Sequence, residues 1–335
     1  MFGKKYFIIG DIGGTNTRLA IIDSNNTFLL KKYYKSKDFG TFSDLLDDVL
    51  KSNSLRISKA CFAVAGPLNA DRNQCHMTNI DWNINSDELK AKYRFEKIIL
   101  LNDFEALGLS IDKLNKSDKS ELEELTSKGF DTKGVIALIG AGTGLGASIL
   151  YRLKDKHLPL SSELSHHSLP IDASNKLEQE LVKYFNKKKI VLEAESVVSG
   201  KGMTNIYEFL LSKKIKHNKK VMNEIKKASI EEKPVLITKY ACNDKDLLCI
   251  KTLNLFIVFY ARIARDLAMT SLCSTLIIAG GIAPNIIQVF RESFIEAFAQ
   301  HEHIEARKLL ENTSIYVITD QDATFKGCIN AMSLL

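Results

Sequence analysis

The sequence predicts an α/β protein built from two related units. Three observations carry that expectation. Short β-rich runs alternate with helical segments. The order strand, glycine-rich turn, strand occurs twice, first around Gly13-Gly14 and again around Gly142-Thr143-Gly144. A chain of 335 residues is also long enough to bury two cores. The repetition suggests two halves that face each other across a cleft.

The elements follow in order. Strands are expected at 6–10, 19–22, 28–34, 59–65 and 98–101, and helices at 42–51 and 86–93, the latter opened by Ser86 as N-cap. Only the Gly-Gly-Thr turn separates the first two strands, so they form an antiparallel hairpin rather than a β-α-β unit. After a polar stretch, 112–133, strands at 134–139 and 147–153 flank the second glycine turn. The chain then becomes helical at 176–186, 193–199 and 203–211, with a long apolar helix at 247–270. A buried strand, 275–279, ends in Gly280-Gly281, and Pro284 suits the first turn of a helix over 285–299. A strand at 315–318 and a helix at 322–334 close the chain, the helix returning to the first unit. Residues 1–112 with 316–335 are thus expected to form a small α/β domain, and 113–315 a large one.

Hydrophobic residues make up 45% and charged residues 26%, the balance of a soluble globular protein. No apolar run is expected to cross a bilayer, and no membrane partner is expected. Residues 1–5 run directly into the first strand, leaving no signal peptide and no N-terminal DNA-binding helix pair; the last three residues are not a peroxisomal address. The six cysteines, Cys61, Cys75, Cys242, Cys249, Cys273 and Cys328, contain no Cys-x-x-Cys pair and do not cluster with histidines. They read as free thiols in a reducing, cytoplasmic compartment, with no zinc site. Much of the +6 charge falls on lysines in 213–227. Arginine and aromatic residues are missing there, so the stretch reads as a solvated face and not as a nucleic-acid surface.

The glycine turns carry the chemistry. Asp11 ends a strand, and Gly13 and Gly14 let backbone N–H groups approach a phosphate closely. Thr15, Asn16 and Thr17 can donate further, and Asp11 can hold Mg2+ through water. Asp-x-Gly-Gly-Thr-x-x-Arg is denser than a hairpin alone needs. Gly142-x-Gly144-x-x-Ala147 formally fits a dinucleotide fingerprint, but a strand follows where that fingerprint requires a helix. A Walker lysine is also missing. Thr143 between its glycines suits outer phosphate oxygens, and Gly280-Gly281-Ile282 allows flat approach of a nucleoside. Between the two turns lies Leu101-Asn102-Asp103 at a strand end, a carboxylate placed for acid–base work or, alternatively, for capping a helix.

Taken together, these residues resemble the bacterial-type glucokinases of the sugar kinase, Hsp70 and actin superfamily. The resemblance runs through 10–18, Ala63-Val64-Ala65-Gly66-Pro67, Met77-Thr78-Asn79-x-x-Trp82, Leu101-Asn102-Asp103-Phe104, 140–146, Ser199-Gly200-x-Gly202 and 278–282. The chain looks unlike the ROK sugar kinases, whose cysteine-rich zinc motif it lacks. The resemblance implies a two-domain actin-like ATPase fold (ribonuclease H-like, hexokinase-type) with an inter-domain cleft. It implies glucose and ATP as substrates, Mg2+ as cofactor, and a homodimer.

By the same resemblance Asp103 is the catalytic base, Asn102 and Gly66 attend the sugar, and Glu163, His166 and Glu195 bind its hydroxyls. The donor would lie on Gly10, Asp11, Ile12, Gly13, Gly14, Thr15, Gly142, Thr143, Gly144, Gly280 and Gly281, with Asp11 steering the metal. Trp82 can stack on a sugar but suits packing better. One departure stands out. The family pattern Glu-Gly-Gly-His is Glu163-Leu164-Ser165-His166 here, and Leu164 does not adopt glycine's backbone angles cheaply. That leaves open a kinase for another hexose or an N-acetylated amino sugar, a non-catalytic sugar sensor, or an ATPase with a protein partner.

Overall fold

The computed structural model describes residues 5–51, 55–126, 128–131, 133–154 and 156–334; the expected run through Met1 to Lys4 and the terminal Leu335 lie outside these. The chain divides into two compact units, Met1–Asn115 with Leu153–Ser161 and Asp320–Leu335, and Lys116–Arg152 with Ser162–Thr319. Residues 153–161 count with the first unit, although the sequence reading put them in the large domain, and 316–319 count with the second.

The first unit contains β1 (Tyr6–Ile12), β2 (Asn16–Asp23), β3 (Phe28–Lys35), α1 (Phe42–Lys51), β4 (Ile57–Val64), β5 (Gln74–His76), β6 (Asn83–Asn85), α2 (Ser86–Tyr93), β7 (Lys97–Asn102) and α3 (Asp103–Ser110). Its sheet runs β3-β2-β1-β4-β7, antiparallel from β3 to β1 and parallel from β1 to β7. Side chains alternate across it with the period of two that a strand imposes. Ile8, Ile12, Leu19, Ile21, Phe62 and Val64 pack one face with α1. Ile9, Ala20, Cys61 and Ala63 pack the other with Ala106 and Leu109 of α3 and with Phe325, Cys328 and Ala331 of the C-terminal helix Ala323–Leu334. Register then does the placing. Ile12 lies beside Val64, and Val64 beside Asn102, so three parallel strands end together. The small β5–β6 hairpin was not expected from the sequence; its strands are three residues each, too short for a periodic signal.

The second unit holds β8 (Leu122–Glu124), β9 (Ile136–Ala141), β10 (Leu145–Leu153, of which Leu153 counts with the first unit), α4 (Lys176–Lys188), α5 (Gly200–Ser212), α6 (Lys219–Lys227), α7 (Glu232–Cys242), α8 (Leu247–Ser271), β12 (Thr275–Ala279), α9 (Ile287–Ala299), α10 (Ile304–Asn312) and β13 (Ser314–Ile318); strand β11 (Lys156–Ser162) falls in the segment assigned mainly to the first unit. The order β10-β9-β12-β13-β8 combines an antiparallel β9–β10 hairpin with parallel β9–β12 and β12–β13 pairs. Gly140 lies beside Ala279, so the turns after β9 and β12 emerge at the same sheet end. Ile139, Ala141, Ile278 and Val317 face a core built mainly by α5, α8 and α9.

Two expectations are corrected here. Helix α8, at 25 residues, is long and apolar enough to cross a membrane by length and composition. Its apolar side chains, among them Phe256, Phe259 and Tyr260, are instead buried in the second unit's core. The helix expected over 193–199 is a single 3-10 turn, Ala194–Ser196; Ser199 then caps Gly202 N–H and α5 starts at Gly200. Helices α6 and α7 went unread, because lysines crowd α6 and only Val221 and Ile225 of it are buried.

Candidate active site

The end of the first unit's sheet gathers the first set of groups. β1 runs into the Gly13-Gly14 turn, closed by Gly13 N–H donating to the Asn16 carbonyl at 3.0 Å. Ser36 Oγ donates to the Gly13 carbonyl at 2.6 Å, and Thr17 Oγ1 lies 2.9 Å from Ser36 Oγ in a buried contact. The Thr17 hydroxyl is therefore spent on Ser36, where the sequence offered it to a phosphate. β4 runs into Ala65-Gly66, and β7 into Asn102. Asn102, not Asp103, caps α3: its side chain accepts from Phe104 N–H, while Glu105 accepts from Asn102 N–H in a reciprocal capping box. Asn102 Nδ2 also donates to the Gly66 carbonyl at 3.3 Å, joining two of the three strand ends. Open α/β sheets place ligands beyond such carboxyl ends of strands.

Asp103, the first residue of α3, shares the Phe104 donor with Asn102: its Oδ1 also accepts from Phe104 N–H, at 3.0 Å. Burial, and then the negative charge of Asp11, push its pKa up to about 7, against the Phe104 N–H that favours the charged form. A carboxyl poised there is a stronger base than an ordinary aspartate at neutral pH. Asp11 is itself held. Arg18 Nε and Nη2 both reach its Oδ2, at 3.0 and 2.5 Å, and Arg18 Nη1 donates to the Gln321 carbonyl. The guanidinium also lies 5.3 Å from the Phe325 ring centroid. Arg18 stood in the sequence motif, but its partner had no signal there: the two are opposed across the β1–β2 register. Both Arg18 bonds to Asp11 end on the same oxygen, Oδ2. A single carboxylate fits Mg2+, which keeps several waters and takes other ligands from phosphates.

In the second unit the turn after β9 is held from outside. Gly142 N–H donates to the Gly144 carbonyl at 2.8 Å. Gly200 N–H, at the start of α5, donates to the Gly142 carbonyl at 2.8 Å, and the Glu195 carboxylate accepts from Leu145 N–H at 2.9 Å. A Cβ on Gly144 would stand 2.6 Å from Glu195 Oε2, so only glycine leaves room for that carboxylate. Gly142 and Gly281 face open space, and Thr143 is exposed at the tip. Gly280 has φ +83°, and a Cβ there would meet the Ala141 carbonyl oxygen at 2.3 Å. Ala141 N–H donates to Tyr260 Oη at 3.1 Å, which ties this sheet end to α8.

Glu163, Leu164, Ser165 and His166 form a tight 3-10 turn with negative φ throughout. Leu164 is buried in the second unit's core. The two residues that replace glycines therefore sit without backbone strain. His166 is exposed; its Nδ1 lies 3.0 Å from Glu193 Oε2. That hydrogen bond, with the charges of Glu193, Glu163 and Glu195, holds the imidazole above its ordinary pKa. Glu193 escaped the sequence reading, which treated it as a neighbour of Glu195 only. Ala194 N–H donates to the His167 carbonyl at 2.9 Å, so the segments around 166 and 194 are pinned together.

Not every expected residue lies open. Gly10 and Ile12 are buried, and a Cβ on Gly10 would strike Leu19, Ile12 and Phe62. They pack the strand that presents the turn. Trp82 is buried beside Phe42, as packing rather than stacking requires. Cys61, Cys75, Cys249, Cys273 and Cys328 are buried free thiols and Cys242 is half-buried.

The comparisons with known proteins agree with this architecture. The Glucokinase family model matches residues 8–334. A glucokinase of Trichormus variabilis is 35% identical over 96% of each chain. The crystal structure of glucokinase from an Antarctic psychrotroph superposes with a TM-score of 0.75 at 27% identity, covering 98% of this chain and 99% of that one. That of Balamuthia mandrillaris glucokinase in complex with glucose gives 0.81 at 23% identity over 98% and 94%, a likeness of fold. The architecture is the actin-like ATPase fold of sugar kinases, and the class is that of enzymes that phosphorylate sugars. Within it, the chain belongs to the glucokinase family.

Proposed function

We infer that this enzyme transfers the γ-phosphoryl group of ATP to the 6-hydroxyl of glucose. The observation that carries the reading is Asp103: a buried carboxylate just past a strand end, next to the capping Asn102 and poised near neutrality. Asp103 takes the proton from the attacking hydroxyl as the new O–P bond forms and ADP leaves. Asn102, with Gly66 behind it, orients that hydroxyl. Glu163, His166 and Glu195 accept from and donate to the remaining ring hydroxyls, since a sugar offers little else for selectivity. The backbone around Gly13, Gly14 and Thr15, and around Gly142, Thr143 and Gly144, holds phosphates; Gly280 and Gly281 admit the nucleoside. Gly10 and Ile12 serve by packing. Mg2+, held by Asp11 through water and by the phosphates, would neutralise charge on the donor.

Family membership and the unstrained 163–166 turn support glucose over an amino sugar. The family resemblance supports a cytoplasmic homodimer. A coupled ADP-release assay over a panel of sugars tests the reading. Glucose should give the highest kcat/KM; a strong preference for N-acetylmannosamine, or no sugar-dependent turnover, would overturn it.

A further inference from the structure

The second glycine turn and the sugar-side residues share one side chain. Glu195 Oε2 accepts from Leu145 N–H at 2.9 Å, at the exit of the turn. Five residues on, Gly200 N–H donates to the Gly142 carbonyl at 2.8 Å, at its entrance. Between them, Ser199 Oγ donates to the Glu195 carbonyl at 2.8 Å and caps Gly202, which fixes the spacing of these two grips. Gly144 completes the fit, because any larger residue would displace the Glu195 carboxylate. Inside its own hairpin, Gly142 N–H also donates to the Gly144 carbonyl.

We propose that Glu195 is a positioning residue for the phosphate turn 142–145, and thereby couples sugar binding to nucleotide binding within the second unit. This rests on the reading of Glu195 as a sugar ligand given above. A carboxylate has two oxygens. One is engaged by Leu145 N–H, and a sugar hydroxyl on the other restrains the same group. Sugar thus stiffens the turn that receives the donor, and a bound donor in turn fixes the carboxylate that receives sugar. Linkage requires the two effects to be equal and reciprocal. The coupling also gives the loss of glycine at 144 a consequence remote from phosphate, namely weaker sugar binding.

Calorimetric titration of the full chain with AMPPNP and Mg2+, and separately with glucose, tests this in Glu195→Ala, Glu195→Gln and Gly144→Ala. Glu195→Ala should weaken AMPPNP with no glucose present, and saturating glucose should tighten AMPPNP by about fivefold or more in the parent but not in Glu195→Ala. Glu195→Gln keeps an acceptor for Leu145 N–H and should recover AMPPNP affinity while glucose stays weak. Gly144→Ala should weaken glucose with no nucleotide present; if it does not fold, the Glu195 pair decides alone. Unchanged AMPPNP affinity in Glu195→Ala, with glucose weakened, would overturn the coupling and keep the sugar site. Weakened AMPPNP with intact glucose affinity would keep the clamp on the turn but overturn the coupling, and would remove Glu195 from the sugar site. No change in either would overturn both.

Discussion

The two glycine turns are alike in plan and unlike in support. Each joins antiparallel strands at the end of a sheet. The first is held by close neighbours: its own hairpin bond to Asn16, Ser36 on the Gly13 carbonyl, and Arg18 across the register gripping Asp11. The second leans on Glu195 and Gly200, which follow it by some fifty residues in the chain. A similar local pattern can therefore encode a turn whose own backbone bonds are closed by nearby residues, with distant ones behind them, or one gripped directly by a distant segment. The second kind can relay an event at that segment directly.

The largest effect should come from the carboxylate beside the first turn. Asp103→Asn is expected to lower kcat by on the order of 10²–10⁴ with glucose affinity nearly retained. In the unchanged enzyme, kcat/KM should fall about tenfold per unit of pH below about 7, as the base becomes protonated. The sign for stability is opposite. The folded pKa lies above the unfolded value of about 3.9, so the stabilising protonated form is lost as pH rises through 7. Thermal melts at pH 8 should accordingly show Asp103→Asn with a higher Tm than its parent; a lower Tm would mean the carboxylate is not desolvated.

Next comes Arg18→Met, which removes the charged hydrogen bonds on Asp11. It should raise KM for MgATP about tenfold, or roughly 1.4 kcal/mol, and leave glucose affinity alone. A glucose effect as large would erase the contrast between a turn held apart from the sugar-side residues and a coupled one. The smallest effect belongs to Ser36→Ala, which deletes one buried and one part-buried contact and should cost about 1 kcal/mol in a denaturant titration.

Much of this was legible beforehand because it depends on short spans of chain. Gly13-Gly14 between two β-rich runs announces a hairpin, and Asn102-Asp103 after a β-rich run announces a strand end. What escaped depends on tertiary pairing. Nothing near Arg18 shows that the Gln321 carbonyl and Phe325 hold it, three hundred residues away. Glu193 meets His166 only because the 166 and 194 segments bond to each other. Glu195 was read on a helix because its neighbours are good helix formers, yet the capping power of Ser199 breaks that helix into a turn and a restart. The strain expected at Leu164 did not arise, since a 3-10 turn suits its side chain and the core has a place for it.

The C-terminal helix sets an order of assembly. Its Gly327 crosses α3 so closely that a Cβ would fall 1.8 Å from the Ala106 carbonyl oxygen, and Phe325, Cys328 and Ala331 cover one face of the first sheet together with Ala106 and Leu109 of α3. During synthesis that face lacks this part of its cover until residues 323–334 are made, whereas the second unit is made from segments that are all translated before Asp320. The half that is begun first is thus finished last. Its partly covered apolar face is where a chaperone, or a wrong partner, has the longest opportunity to bind.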